Sequence, residues 1–185
     1  RVGYFVNKST DLTSYDNFPN FALINKWRLI KKDPNAEMSE PEEPIVFWVE
    51  NTTPEEIIPA VVAGIENWNM AFEEAGFINA VVAKIQPKDA EWDAADYDYN
   101  VVRWSSEPDG NLLGIGPSVT NPLTGKIISG DVVNKLLAVK VGYNYRKLYG
   151  YTEDNDPLMQ YITKLAFCEA GHVLGFRHNR RGSDL

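Results

Sequence analysis

Both histidines of this 185-residue chain lie in one short stretch together with its single cysteine. Within it, Cys168 precedes His172 by four residues, and His178 follows six residues later. An α-helix repeats every ~3.6 residues, so Cys168 and His172 should lie on one helix face, a turn apart. Two donor atoms placed in this way can share one metal ion. The stretch therefore indicates a metal site whose chemistry depends on Cys168.

Two further residues extend the pattern. Glu169 is one step round the helix from Cys168, offset from the metal but near enough to reach a water bound to it. Gly175 tolerates left-handed backbone angles, so it can end the helix and let the chain return with His178 as a third ligand. Catalytic zinc typically has three protein ligands and an open position for water. The spacing thus favours a catalytic metal site with Glu169 as general base.

With histidine at position 168 the stretch would read HExxHxxGxxH, and the chain resembles the metzincin zinc metalloproteases. It looks most like the metzincin-like catalytic domain of large secreted bacterial proteins. The resemblance covers most of the chain and includes the segments Arg1–Phe5, Asn25–Leu29, Lys32–Ala36, Pro44–Trp48, Gly64–Asn69, Ala75–Phe77, Gly116–Val119 and Thr124–Gly125. It implies an α+β fold with a twisted mixed sheet of about five strands, a long backing helix and a C-terminal active-site helix.

The same resemblance implies a zinc-dependent metalloendopeptidase that hydrolyses peptide bonds through a metal-activated water. We expect Cys168 and the missing C-terminal part to impair this activity in the present chain. Glu169 would be the catalytic residue, and His172, His178 and, less well, Cys168 would bind Zn²⁺. The partner would be a peptide or protein substrate, held in extended form along an edge strand. The residues that match this strand are Gly114, Ile115, Gly116, Pro117 and Ser118.

The resemblance also implies a secreted, periplasmic or cell-surface location. Metzincins carry a methionine-containing turn downstream of the third histidine, whereas all three methionines here precede Cys168. We therefore expect the chain to be an N-terminal catalytic subdomain, truncated after the third ligand position and belonging to a longer parent chain. These residues contain no signal-peptide pattern.

Cys168 admits three interpretations. Its thiolate can be a zinc ligand, because catalytic sites with cysteine ligands exist. However, zinc bound to this shorter side chain would sit roughly 2 Å nearer the helix, and the thiolate charge would weaken its effect on water. The alternative is therefore a catalytically inactive, protease-like peptide-binding module without metal. A redox thiol is disfavoured, because the chain has no second cysteine and Glu169 would raise the pKa of the thiol.

Composition excludes several other classes of protein. Hydrophobic residues make up 44% of the chain and aromatic residues 12%, which is typical of a globular protein. The net charge of −8 argues against nucleic-acid binding through phosphate neutralisation. No apolar run approaches the ~20 residues of a membrane-spanning helix, so we expect no membrane span.

The elements that position the site follow from hydrophobic period and turn signals. We expect an N-terminal arm or hairpin with a linker over residues 1–43 and the catalytic subdomain over residues 44–185. Short apolar runs predict strands at Ile45–Val49, Ala80–Ile85 and Val101–Trp104. Two further strands, joined by a turn, are predicted at Gly114–Val119 and Lys126–Val133.

Two helices are predicted. Thr53, Pro54 and Glu56 form a capping-box pattern that starts the first helix, and Gly76 ends it. Its apolar residues recur every three or four positions, at Ile58, Val61, Val62, Ile65, Trp68 and Phe72. The last helix should begin at Asp156-Pro157, as cap and first position, and end at Gly175. The tyrosine-rich stretch 142–151 either lines a pocket beside this helix or packs the connection.

Overall fold

The computed structural model of the protein describes residues 3–16, 20–107, 112–152 and 154–178. The chain is an α+β protein with a five-stranded mixed sheet, which confirms the predicted class. The strands are β1 (Val6–Thr10), β2 (Asn20–Ile24), β3 (Ile45–Val49), β4 (Val81–Ile85), β5 (Asn100–Ser105), β6 (Gly114–Ile115), β7 (Ser118–Thr120), β8 (Ile127–Gly130) and β9 (Val132–Lys135). The helices are α1 (Ile58–Glu66), α2 (Asn69–Glu74), α3 (Leu136–Tyr149) and α4 (Pro157–Val173).

The main sheet has the strand order β4-β3-β5-β9-β6. Its first four strands are parallel, and β6 runs antiparallel to β9 at the edge. Strand β3 shows how the sheet divides its residues, because Ile45, Phe47 and Val49 are buried in the main core while Val46 and Trp48 alternate with them. The predicted strand Ile45–Val49 is therefore confirmed with its boundaries.

A layer of helices covers one face of this sheet. Helix α1 packs on β3 and β4, α4 packs on β9 and β6, and α3 packs against α4. The shared core contains apolar side chains of the three helices α1, α3 and α4 and of strands β3, β4, β5 and β9. Its fully buried members are Phe47, Val49, Val61, Ile65, Val132, Ala138, Leu158, Ala166, Ala170 and Val173. Helix α4, which carries the motif, is thus held between the sheet edge and two other helices.

The prediction of the first helix is wrong in two respects, namely where the helix begins and whether it is continuous. Helix α1 begins at Ile58, and the hydroxyl of Thr53 makes no capping bond. The reason is Pro59, which lacks an N–H and is tolerated only in the first helical turn, so a helix starting at Pro54 would place it in the interior. The backing element is also two short helices, because α1 ends at Glu66 and α2 begins only at Asn69.

The last helix follows its prediction closely. The carboxylate of Asp156 accepts a hydrogen bond from the N–H of Leu158 at 3.0 Å, and Pro157 occupies the first helical position. Beyond the C-terminus, Gly175 has φ +101° and closes the helix as predicted. Asp156 also pairs with Arg146 of α3, so the cap of α4 is tied to the neighbouring helix.

The two strands predicted between residues 114 and 133 are four strands. Pro117 interrupts the first one because it cannot donate to a ladder, so β6 pairs with β9 while β7 pairs with β8. Asp131 separates β8 from β9, and its N–H bonds the carbonyl of Pro117 at 3.1 Å. Each of the two predicted strands therefore passes from one sheet to the other, and both do so where Pro117 meets Asp131.

Helix α3 contains most of the tyrosine-rich stretch, which the sequence left without an assigned element. Tyr145 and Tyr149 line a cavity of about 600 Å³ beside α4, together with Tyr161. Tyr143 instead faces Arg146, whose guanidinium lies 5.2 Å from its ring. Both interpretations of the stretch therefore apply, each to different tyrosines.

Strands β1 and β2 form a two-stranded antiparallel sheet of their own. This hairpin contacts the main body through Asn7, which donates to the hydroxyl of Thr120 at 2.7 Å, and through backbone pairing of Lys26 with Lys126. A hairpin is one of the two forms expected for this segment, and its strands are Val6–Thr10 and Asn20–Ile24. Within the described ranges, no helix has the length and apolar character needed to cross a membrane.

Candidate metal centre

Helix α4 and the turn after it bring three potential metal ligands together. Cys168 and His172 are half-buried on the last turns of α4, and His178 is exposed beyond them. In the part of the chain that the structure describes, the ligand atoms of these three residues all lie within 4.8 Å of one another. The Sγ atom of Cys168 is 3.3 Å from Nε2 of His178, and the two histidine Nε2 atoms are 2.9 Å apart.

These separations are close to those of a zinc site. A tetrahedral zinc with bonds of ~2.0–2.3 Å holds its ligand atoms roughly 3.3–3.6 Å apart. The observed distances of 2.9 and 3.3 Å, both of which involve His178, are a few tenths of an ångström shorter. The short cysteine side chain therefore does not prevent the three donors from converging. This Cys168-His172-His178 cluster can hold a metal ion.

The tautomer of His172 is set by the turn below it. Its Nδ1 lies 2.7 Å from the carbonyl oxygen of Phe176. A carbonyl can only accept, so Nδ1 carries the proton and the Nε2 lone pair of neutral His172 is free to bind a metal. Metal-ligating histidines commonly donate their second N–H in this way, which fixes the orientation of the ring.

The turn that carries His178 has the geometry of a glycine-terminated helix. The N–H of Gly175 bonds the carbonyl of His172 at 3.0 Å, and the N–H of Phe176 bonds the carbonyl of Gly171 at 2.9 Å. This is the Schellman arrangement, which needs the left-handed angles that Gly175 adopts. It returns the chain toward the helix, and His178 reaches His172 as a result.

An N-terminal segment, residues 3–5, straps this turn in place. The N–H of Phe5 bonds the carbonyl of Gly175, and the N–H of Arg177 bonds the carbonyl of Gly3, both at 2.9 Å. The ring of Phe5 also meets the ring of His172 edge-on, with centroids 5.7 Å apart. The strap therefore supports one ligand directly and the backbone that leads to another.

Glu169 lies on α4 beneath the edge strand β6. It is 8% exposed, and burial raises the pKa of its carboxyl, while the nearby His172 and His178 oppose that rise. A Cβ on Gly114 would lie 3.1 Å from Cγ of Glu169, so the strand passes over this side chain at close range. A buried carboxyl beside two histidines, with a raised pKa, can accept a proton and release it again.

The thiol of Cys168 is held in its neutral form when no metal is bound. Burial raises its pKa, Glu169 adds to the rise, and Lys164 opposes it. A metal must displace the thiol proton to bind sulfur, so its affinity should increase with pH. The same environment argues against a reactive thiolate, which needs a lowered pKa.

The five residues predicted to hold substrate do not form one strand. Gly114 and Ile115 form β6, and Gly116 crosses over α4, where a Cβ would lie 3.1 Å from Cβ of His172. Pro117 and Ser118 instead lie with the β7–β8 pair and line a separate cavity of about 250 Å³. The structure thus brings the first three to the candidate centre and places the last two at that second cavity.

Two contributions escaped sequence reasoning. The strap of residues 3–5 was recognised only as part of an arm, because backbone pairing with residues 175–177 leaves no side-chain pattern. Asn134, a buried polar residue on β9 opposite Gly114, was also missed. Its signal was a polar residue two positions after the core residue Val132, on the face of the strand that should be apolar.

A cavity of about 780 Å³ lies between α2 and α4, next to the candidate centre. Met70, Thr163 and Phe167 are among its lining residues, and the three potential metal ligands are not.

No protein-family model matches the chain, and no curated protein or solved structure is similar to it at a significant level. The function is therefore inferred from the motif and from the geometry around α4.

Proposed function

We propose that this chain is the catalytic subdomain of a zinc-dependent metalloendopeptidase of the metzincin type. The observation that carries the proposal is the convergence of Cys168, His172 and His178 within 4.8 Å, with the buried Glu169 beside them. A secreted, periplasmic or cell-surface location is part of the same proposal. The motif supports it independently, since only position 168 departs from HExxHxxGxxH.

The donor set favours zinc over other common metals. One thiolate and two imidazoles suit Zn²⁺, whereas Mg²⁺ and Ca²⁺ prefer oxygen ligands. Three protein ligands leave one coordination position open, as in catalytic zinc sites. Zinc held by Cys168, His172 and His178 would acidify a water and polarise a peptide carbonyl.

The residues of the chain then supply positioning and proton transfer. Glu169 takes a proton at its carboxylate and gives it to the leaving amine. The hydrogen bond from Nδ1 of His172 to Phe176 keeps that ring in register. Among the described residues, strand β6 has one neighbour in the sheet, β9. Its other edge is therefore where an extended peptide would pair by backbone hydrogen bonds.

A metal-free peptide-binding module is the second candidate, and one observation favours it. The pKa of the Cys168 thiol is raised, so at neutral pH a metal must first remove its proton. If the cost of removing this proton prevents metal binding, strand β6 would still be able to bind peptides, but hydrolysis would be lost.

The deciding experiment measures zinc bound per chain after dialysis with excess zinc and removal of loose metal. We expect about one equivalent for the natural chain and none for His172→Ala. Thermal unfolding with and without zinc should show a rise in Tm for the natural chain, because a ligand that binds only the folded state stabilises it. Glu169→Gln is the matched control, since it should still bind zinc.

A peptidase assay then separates the two candidates. Hydrolysis of an extended peptide by the zinc-loaded chain, lost in Glu169→Gln, would support the proposed activity. Stoichiometric zinc without hydrolysis would leave a metal site only. Absence of both, with retained peptide binding, would favour the metal-free module.

A further inference from the structure

Asn134 is a buried amide with no partner in the described part of the chain. Its side chain is on β9, it is 2% exposed, and neither its Oδ1 nor its Nδ2 has a hydrogen-bond partner. Buried amides nearly always have hydrogen-bond partners, and one without a partner destabilises the fold. An apolar residue of similar size would fit the core better unless the amide serves another group.

The neighbours of Asn134 within the sheet do not explain the amide. Trp104 lies beside it on β5, and Gly114 lies opposite it on β6. Gly114 has no side chain, and Trp104 makes no hydrogen bond to the amide. A complementary polar group must therefore come from the helix layer that covers this face.

The helix layer brings the carboxyl of Glu169 close to this part of the sheet. The N–H of Lys135 bonds the carbonyl of Leu113 at 3.1 Å, which makes Gly114 and Asn134 a close-facing pair. Side chains of such pairs share one face of the sheet, with Cβ atoms about 4.5–5.5 Å apart. Because a Cβ on Gly114 would lie 3.1 Å from Cγ and 3.4 Å from the carboxyl carbon of Glu169, the amide and the carboxyl approach the same small space.

We propose that Asn134 is a positioning residue for Glu169. No direct hydrogen bond joins the two groups in the structure, so the amide N–H donates to the carboxylate across one water. This link keeps the carboxylate under β6 and turned toward the metal ligands. Gly114 is part of the device, because a side chain at this position would fill the space between the two groups. The link itself does not require metal, and only its value for hydrolysis rests on the proposed function.

A double-mutant cycle on metal-free protein tests the link. Asn134→Leu, Glu169→Gln and the double variant are compared by the equilibrium constant for unfolding in urea. If the two substitutions acted independently, their effects on this equilibrium constant would multiply in the double variant. We expect the double variant to differ from that product by a factor of at least about 5, as for groups in contact. The matched control pairs Asn134→Leu with Glu66→Gln, a carboxylate that bonds the N–H of Ala83 on the far strand β4 and should be additive. If the leucine variant does not fold, Asn134→Ala replaces it.

Additivity of Asn134 with Glu169, equal to that with Glu66, would overturn the proposal. Zinc stoichiometry of the natural chain is measured separately, so failure of the metal site and failure of this link are distinguishable. In zinc-loaded protein that hydrolyses peptides, we expect Asn134→Leu to lower kcat about tenfold or more with KM and bound zinc unchanged. A tenfold change in KM with kcat unchanged would instead indicate that Asn134 has a purely structural role, and it would overturn the positioning role.

Discussion

Gly116 lies directly against the backbone of Glu169, so close that a Cβ at position 116 would overlap the carbonyl oxygen of Glu169. Gly116→Ala must therefore displace either the crossover after β6 or helix α4. We expect this variant to lose about 3 kcal/mol of the free energy of unfolding, because neither backbone can yield locally. Urea unfolding measures the loss, and bound zinc should fall as well because His172 borders the same contact.

Gly114→Ala is the graded comparison. Here the nearest atom is Cγ of Glu169 at 3.1 Å, part of a side chain that can move, although the carbonyl of Val133 lies at 3.2 Å. The loss of stability should be smaller than for Gly116→Ala. If both variants lost the same free energy of unfolding, the close backbone contact would not be the reason for glycine at position 116.

The identity of residue 168 should control the affinity for zinc. We expect Cys168→His to bind zinc about tenfold more tightly or better, because a neutral imidazole has no thiol proton to lose and restores the complete motif. Competition with a chromophoric chelator at neutral pH measures the change. Cys168→Ser is the control and should bind more weakly than the natural chain. Unchanged affinity in the histidine variant would mean that Cys168 is not the weak ligand.

The strap, residues 3–5, should contribute to the affinity for zinc although it supplies no metal ligand. Phe5→Pro removes the N–H that bonds the carbonyl of Gly175 at 2.9 Å, and we expect the affinity for zinc to fall about tenfold. Tyr15→Pro is the matched control, because Tyr15 is fully exposed in the same arm. A loss of the same size in both variants would indicate a general effect on the arm.

Asp156 should stabilise the fold in a pH-dependent way. Its carboxylate caps α4 and pairs with Arg146, and both side chains are 13% exposed. We expect Asp156→Ala to lose about 3 kcal/mol of the free energy of unfolding and Asp156→Asn to lose less, because asparagine can still cap the helix. Urea unfolding at neutral pH measures both.

The sign of the pH effect follows from the ion pair. Arg146 lowers the pKa of Asp156 in the folded chain below its unfolded value of about 4. The contribution of the charge is therefore complete above about pH 4 and is lost as the pH falls through the lowered folded-state pKa. The difference between the natural chain and Asp156→Asn should shrink only in that acid range. A difference that is constant down to pH 2 would contradict the ion pair.

The sequence predicted the elements whose signals are local. Asp156-Pro157 and Gly175 mark the two ends of α4 because a cap, a fixed φ and a left-handed glycine act within a few residues of themselves. The strand Ile45–Val49 was predicted for a similar reason, as a short apolar run between polar segments. The α1 prediction failed because the capping pattern was weighed without the later Pro59, whose missing N–H is an equally local signal.

The candidate site was predictable only in part. The spacing of Cys168, His172 and His178 gave the cluster, because helix periodicity and one glycine turn place all three. The strap and Asn134 depend on pairing between distant segments, and nothing in a single stretch of sequence reports such pairing. Pro117 is different, because its missing N–H is a local signal that the strand should break there.

The bridge between Tyr4 and Phe176 also has a consequence for the order of events during folding. It joins segments from opposite ends of the described chain, and contacts at such separation form slowly because a long loop must close first. The helix can present Cys168 and His172 early, whereas the turn that leads to His178 is secured only when the first residues return to it. Capture of a metal would therefore report that the chain has finished folding.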